Sequence, residues 1–329
     1  MKIRFWRSGC RGLRVVLCVL AVLLAAAPST EGAGAAGLQD ASGALVTVPA
    51  NAQRIVSLAP NLTEILCGMG LGPRLVGVSS YSNYPPAVNK LPKVGGFAAL
   101  SIETIVSLNP DIAVGTMDGN SEADVARLRS LSIPVFCVFP NNMQGLMRAI
   151  SQLGKLFKCE NEAKELVGNI ELVVKQVKSK ADRLARTLGR PKVLIALDTK
   201  PIVSASADTF IGELVAIAGG ANVVGANSIR YPRLGLETVV ASAPDVILVT
   251  GHGSQQGLLD DLRQLERWQE VPAVKNGRVY LLDPDVTTRP GPRSAGALLA
   301  IHEKLFPESE VESRKSKVES QRSPTGNPQ

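Results

Sequence analysis

The chain is poor in aromatic residues: Phe, Trp and Tyr make up only 4% of its 329 residues. It is poorer still in histidine, with His252 and His302 as the only two. Two histidines far apart in sequence fit poorly with a bare zinc or manganese carrier, which needs several His and carboxylate ligands together. HExxH, GxSxG and GxxxxGK[ST] are all missing, and His252, in a GHG strand end, has no evident nucleophile partner. These absences argue against an enzyme and predict neither catalytic residue, metal ligand nor cofactor. Long apolar runs are also missing. The longest, VVLCVLAVLLAAA at 15–27, is 13 residues and too short to span a bilayer comfortably.

That run follows MKIRFWRSGCRGLR, with five basic residues and no acid, and precedes the small residues PSTEGAGAAG. Residues 1–36 therefore read as a cleaved secretory signal and its cleavage zone. Cys18 follows Leu17 rather than a small residue, so no lipobox is expected, and a periplasmic location is. The charge argument changes with the signal removed. Of 36 basic and 29 acidic residues, five and one leave with it, so 31 and 28 remain, a net charge near +3. The excess that suggests nucleic acid thus belongs largely to the signal, and no nucleic-acid partner is expected. Cys67, Cys137 and Cys159 remain, outside any CxxC or Cys/His cluster. Small buried apolar residues are the simplest reading of them, with one disulfide as the alternative.

One sentence is written twice in what is left. SIETIVSLNPDIAVG (101–115) and GLETVVASAPDVILV (235–249) align without a gap at an offset of 134 residues, sharing Glu-Thr, Val and Pro-Asp. Each copy reads as a short helix after Ser101 or Gly235, a Pro-Asp break, and an inner strand apolar on both faces. RIVSLAP (54–60) and KVLIALD (192–198) form a second pair of inner strands. Behind them come helices starting near Glu64 and Glu213 and ending at glycines. Gly68, Gly70 and Gly72 close their helix rather than open one, so C-capping is expected there and phosphate binding is not. Two copies of a β/α unit predict two similar α/β lobes with mainly parallel sheets, at 37–158 and 190–306. Between them Glu160–Leu188 has no proline, a single glycine and an apolar stripe from Ala163 to Leu188. This predicts a connecting helix (159–189) of roughly 43 Å, a strut that holds the lobes at fixed separation. Residues 307–329 are polar and charge-balanced, and read as a disordered tail.

Residues 52–306 resemble a known family. RIVSLAPNLTEILCGMGLGPRLVGVSSYSNYPP, then LPKVGGF, then SIETIVSLNPDIAV follow, in order and spacing, the pattern of rigid two-lobed periplasmic substrate-binding proteins of ATP-driven importers. That class carries vitamin B12, haem and iron-siderophores, and SYSNYPP is most similar to the cobalamin binders. The resemblance implies a cleft lined by Tyr81, Phe97, Thr116, Tyr231, Asp285 and Arg289. It also implies that Glu103 and Glu237, matching residues of the two copies, dock on the two transmembrane subunits of a permease dimer. The partners implied are cobalamin or a related metal chelate and that permease, with the free chain a monomer. From the residues alone, the aromatics fall in loops at predicted strand ends, where ligands bind parallel sheets. Asp285 and Arg289 lie four apart and suit amide or phosphate groups, or a local salt bridge. A siderophore, haem or smaller corrinoid stays open as the ligand, as does a sensor module without a permease.

Overall fold

The computed structural model describes residues 37–308 except 48, 50, 97–98, 227–228, 252–254 and 265–266. The expected signal and almost all of the expected tail lie outside the described residues. Two sheets carry the fold. In the N-terminal lobe the order is Leu75–Val78, Ile55–Ser57, Ile112–Thr116, Val135–Val138, parallel throughout. All residues of its last three strands are buried, as expected of strands covered on both faces. In the C-terminal lobe Lys192–Thr199 is central. Val246–Val249 and Ala221–Asn222 pair with it in parallel, and Val279–Leu281 continues in parallel from Val246–Val249. The opposite edge departs from the parallel pattern. Ile202–Ser204 turns straight back on Lys192–Thr199, and Arg233–Leu234 pairs antiparallel beyond it. The intervening Lys200-Pro201 is too short for a crossover, so this strand can only return antiparallel.

The duplicated stretches fold as duplicated units. Helix Ile102–Ser107 precedes Ile112–Thr116, and helix Leu236–Ser242 precedes Val246–Val249. The shared aspartate has one job in both. Asp111 Oδ2 accepts the backbone N–H groups of Gln53 and Arg54 at 2.7 and 2.9 Å, and Asp245 Oδ2 accepts that of Lys192 at 2.8 Å. Each aspartate's own N–H donates back, to Arg54 O or Lys192 O, at 2.8 Å in both cases. The repeated Pro-Asp therefore ends a helix and clamps the entrance of the neighbouring inner strand. Ser101 holds the N-cap position, but its hydroxyl bonds the Thr104 hydroxyl at 2.7 Å instead of a backbone N–H. In the glycine segment, the helix Pro60–Gly68 ends where expected and Gly70 takes a left-handed φ of +77°, closed to most side chains.

The connector is one helix, Glu160–Leu188, with Ala163, Ile170, Val177, Ala181 and Leu184 buried. Helix Met143–Phe157 lies close against it, and a Cβ on Gly154 would stand 2.5 Å from that of Ala163. The strut does not hold the lobes apart by itself. One continuous core runs from Leu62, Leu66 and Ile150 in the first lobe, through Ile170 and Val177, to Leu214, Val215, Leu298 and Ile301 in the second. Each sheet also has a private core on its other face, around Val56, Ala113 and Val135 in one lobe and Leu194, Ile247 and Trp268 in the other. The fold is thus α/β, with two lobes fused through a shared layer.

A feature outside the family resemblance is the hairpin Leu38–Gln39/Leu45–Val46. Its buried Asp40 accepts from Arg129 Nη2 at 2.7 Å and from the Cys137 N–H at 3.1 Å, tying the hairpin to the sheet edge. Cys67, Cys137 and Cys159 are free thiols. Burial, followed by the nearby Asp40 carboxylate, pushes the Cys137 thiol up to about 11.

Candidate functional site

The loops that leave the carboxyl ends of the two sheets meet. After Leu75–Val78 comes the segment with Tyr81, Asn83 and Tyr84; after Val279–Leu281 come Asp285, Arg289 and Arg293. Asn83 Nδ2 donates to Asp285 Oδ2 at 2.6 Å, Arg289 Nη1 donates to Asn83 Oδ1 at 3.0 Å, and Arg289 Nη2 stands 2.5 Å from Asp285 Oδ1. The local Asp285–Arg289 pair, one of the two readings their spacing left open, is formed, and its third member, which comes from the other lobe, was missed. Burial pulls the Arg289 guanidinium below its usual range, against the opposing pull of Asp285.

Deeper in the same seam, Arg293 Nε and Nη2 donate to the two carboxylate oxygens of buried Glu64 at 2.8 and 2.6 Å. The Arg293 guanidinium also sits 4.3 Å from the Tyr84 ring centroid. Asn61 Nδ2 donates to Pro290 O at 3.3 Å. On the other side of the pseudo-repeat, Glu213 Oε2 accepts the Met143 N–H at 2.7 Å. The wall between the lobes is therefore polar-bonded as well as apolar.

Exposed apolar side chains also occur after strands of both lobes. Among the described residues eleven large hydrophobics are strongly exposed, and six of them, Tyr81, Tyr84, Met117, Phe139, Ile229 and Tyr231, lie in connections that follow parallel strands. Surface apolar groups gathered at strand ends mark a ligand wall more than chance exposure does. Tyr81 and Tyr231 are 57% and 53% exposed, so neither is consumed by the core. Tyr81 lies over the backbone at Gly96, where a Cβ would come within 3.3 Å of its ring. The adjoining Phe97 lies outside the described residues. Ser206 and Ser204 N–H groups hold the Tyr231 segment by bonding Arg230 O and Pro232 O, each at 2.9 Å. Thr116 differs from the other expected site residues. It is buried, its hydroxyl donates to Asp118 Oδ1 at 2.5 Å, and it lines a cavity of about 480 Å³ with Met117, Asn120 and Arg129. The exposed apolar group at that strand end is Met117. Met117, Phe139 and Ile229 escaped the sequence reading, although Phe139 was findable as an aromatic placed directly after an inner strand.

Glu103 and Glu237 are both exposed in the first turns of their helices. His302 is buried, its Nδ1 is 2.9 Å from Ala218 O, and burial pushes its pKa down, which marks a packed core histidine. His252 lies outside the described residues. Among the described residues, no three His, Cys, Asp or Glu side chains group as metal ligands, and no helix is long and apolar enough to cross a membrane.

Two lobes with largely parallel sheets, one long helix between them and strand-end loops that meet across the lobes, together with the family match, define a substrate-binding protein of the class that serves ABC importers, which are not enzymes. The chain belongs to the periplasmic binding protein family, whose model matches residues 55–286. It is similar to the vitamin B12-binding protein of Vibrio parahaemolyticus, 26% identical over 251 residues that cover 76% of this chain and 88% of that one. The vitamin B12-binding protein of Yersinia pestis is 32% identical over 213 residues, 64% of this chain and 74% of its own. Among solved structures, the periplasmic vitamin B12 binding protein of Vibrio cholerae is 27% identical with a TM-score of 0.68, covering 79% of this chain and 98% of its own. A periplasmic haem-binding protein of Roseiflexus in apo form is 27% identical with a TM-score of 0.70, covering 78% and 98%.

Proposed function

We propose that this protein captures a corrinoid between its lobes and delivers it to an ABC importer. The observation that carries the reading is the cluster of Asn83, Asp285 and Arg289 joining loops of the two lobes, together with the exposure of Tyr81, Met117, Phe139, Ile229 and Tyr231 in connections that follow strands. A corrinoid presents a broad apolar macrocycle fringed with amides. Aromatic and thioether groups suit the macrocycle, and a charge-balanced polar cluster suits the amides. Its cobalt can bring its own axial groups, so no protein ligand is demanded. Relatives named as vitamin B12-binding proteins support the choice. Phe97 and Thr116 belong to the same proposed lining.

In this reading residues 37–158 and 190–306 are the two lobes, 159–189 is the strut, and residues 1–36 are removed on export to the periplasm. The chain acts as a monomer when free. Glu103 and Glu237, one per lobe, meet basic sockets on the two subunits of a permease dimer. A single exposed ion pair contributes only about 0–1 kcal/mol, but two on a rigid body fix its orientation on a two-fold partner.

Haem is the second reading, because Tyr81, Tyr231 and Met117 are exposed and carry atoms that ligate iron. The test is retention of visible colour and calorimetric titration with cyanocobalamin, cobinamide, haem and a ferric siderophore. Corrinoid binding near one per chain is expected, with Tyr81→Phe and Tyr231→Phe nearly unchanged because a stacked ring keeps its face. Colour retained with haem alone and lost in either Phe variant would overturn the assignment.

A further inference from the structure

We propose that Asn83 is the specificity-determining residue of the cleft, setting it to take neutral, amide-bearing ligands and to reject carboxylate-bearing ones. The inference rests on the proposed cleft and deepens it by naming the ligand chemistry and a residue that controls it. Its basis is the closed ring of three side chains from two lobes. Asn83 uses its N–H on Asp285 at 2.6 Å and its carbonyl on Arg289 at 3.0 Å, while Arg289 and Asp285 meet directly at 2.5 Å. This orientation of the amide is fixed by chemistry, since the flipped one would set a carbonyl against a carboxylate and N–H groups against a guanidinium. Asn83 itself is exposed, whereas the Asp285 and Arg289 side chains are only 21% and 13% exposed.

The ring has consequences for a ligand. Arg289 is the cation best placed to receive a ligand carboxylate by a bidentate fork. In the ring Nη2 already pairs with Asp285 and Nη1 with Asn83, so a ligand carboxylate must compete with the ring for the guanidinium. An incoming carboxylate would also face the Asp285 charge. An amide meets neither obstacle, because it can donate to one member of the ring and accept from another without adding charge. Asn83 thus acts as the wedge that keeps the guanidinium turned toward its own ring. Without it, Asp285 still pairs with Arg289 through their four-residue spacing, but one guanidinium nitrogen is released toward the cleft.

The test compares matched ligand pairs differing in one functional class: cyanocobalamin against its monocarboxylic acid, and haem dimethyl ester against haem. Wild type should bind the neutral member of its pair at least about tenfold more tightly, equivalent to about 1.4 kcal/mol. Asn83→Leu and Asn83→Ser should shrink or invert that ratio while the melting temperature stays near wild type, because the side chain is exposed. A purely structural role would weaken both members equally and leave the ratio fixed, and that result overturns the proposal. So does a wild type that prefers the acid, or one that binds neither pair. Binding of the porphyrin pair alone, with the ester preferred and the preference lost in both variants, would sink the corrinoid reading and leave the role of Asn83 standing.

Discussion

Glu64 and Glu213 hold the same place in the two lobes, in the helix that follows each lobe's first inner strand, yet they cross the seam to unlike partners. Both reach the start of the last long helix of the opposite lobe. Glu213 meets a backbone N–H at the head of Met143–Phe157, a helix already capped by Asn142, whose side chain accepts from Gly145 N at 2.6 Å. Glu64 meets Arg293, the N-cap residue of Ser294–Leu305, whose side chain makes no cap bond. The comparison separates position from chemistry. Duplication supplies a carboxylate at each crossing, and the partner decides its worth. A carboxylate against a helix N-terminus gains roughly 0.3–1 kcal/mol. A buried carboxylate held by two charge-assisted bonds is costly to disturb, because removing one member strands the other.

The largest expected effect follows from that contrast. Arg293→Ala leaves the buried Glu64 carboxylate unpaired and removes the cation over Tyr84, and should lower unfolding free energy by about 2–3 kcal/mol in urea titration. Glu64→Gln, which keeps shape and loses charge, should cost less. If both variants match wild type, the two crossings are equal and the contrast is broken. The strand clamps come next. Asp111→Ala removes an acceptor for two backbone N–H groups and should cost about 1–2 kcal/mol, against about 1 for Asp245→Ala; equal losses would show that the second bond of Asp111 contributes nothing. Smaller again is Glu213→Ala, at about 0.5–1 kcal/mol, and small-angle scattering should show no compaction of the wild type on ligand binding. Glu103→Arg and Glu237→Arg should have the smallest effect on melting, within about 0.5 kcal/mol as for exposed positions. They should leave ligand affinity intact and still reduce uptake, further in the double variant. Reduced melting with normal uptake would return both glutamates to helix-dipole duty.

Local signals carried much of this into the sequence. The strut was legible to within a residue at each end because an uninterrupted apolar stripe without proline admits little else. The doubled Glu-Thr…Pro-Asp stretch announced two equivalent units, and the glycines after Leu66 announced a helix end. Most of the seam stayed hidden because it depends on approach across more than 200 residues. Asn83 reads as a turn residue beside tyrosine and proline, and nothing near it announces Asp285 and Arg289. Arg293 lies one turn beyond Arg289, and only the docking of a distant helix tells which of the two meets Glu64. Asp40 belongs to a short hairpin whose two-residue strands carry no periodic signal. Met117 and Ile229 look like core residues by type, and their exposure becomes visible only once the strands before them are placed.

The shared core has a consequence for the order in which this molecule can be made. The chain emerges from synthesis N-terminus first, and its first lobe has its sheet and helices complete by Phe157. That lobe is not yet finished as a surface. Leu62 and Leu66 belong to the core that Leu298 and Ile301 complete, and Glu64 awaits Arg293, 229 residues downstream. The first-made half must therefore wait, sticky on one face, for the last-made helix to close it. A release of the chain short of Ser294–Leu305 would leave two well-formed sheets with their common wall incomplete.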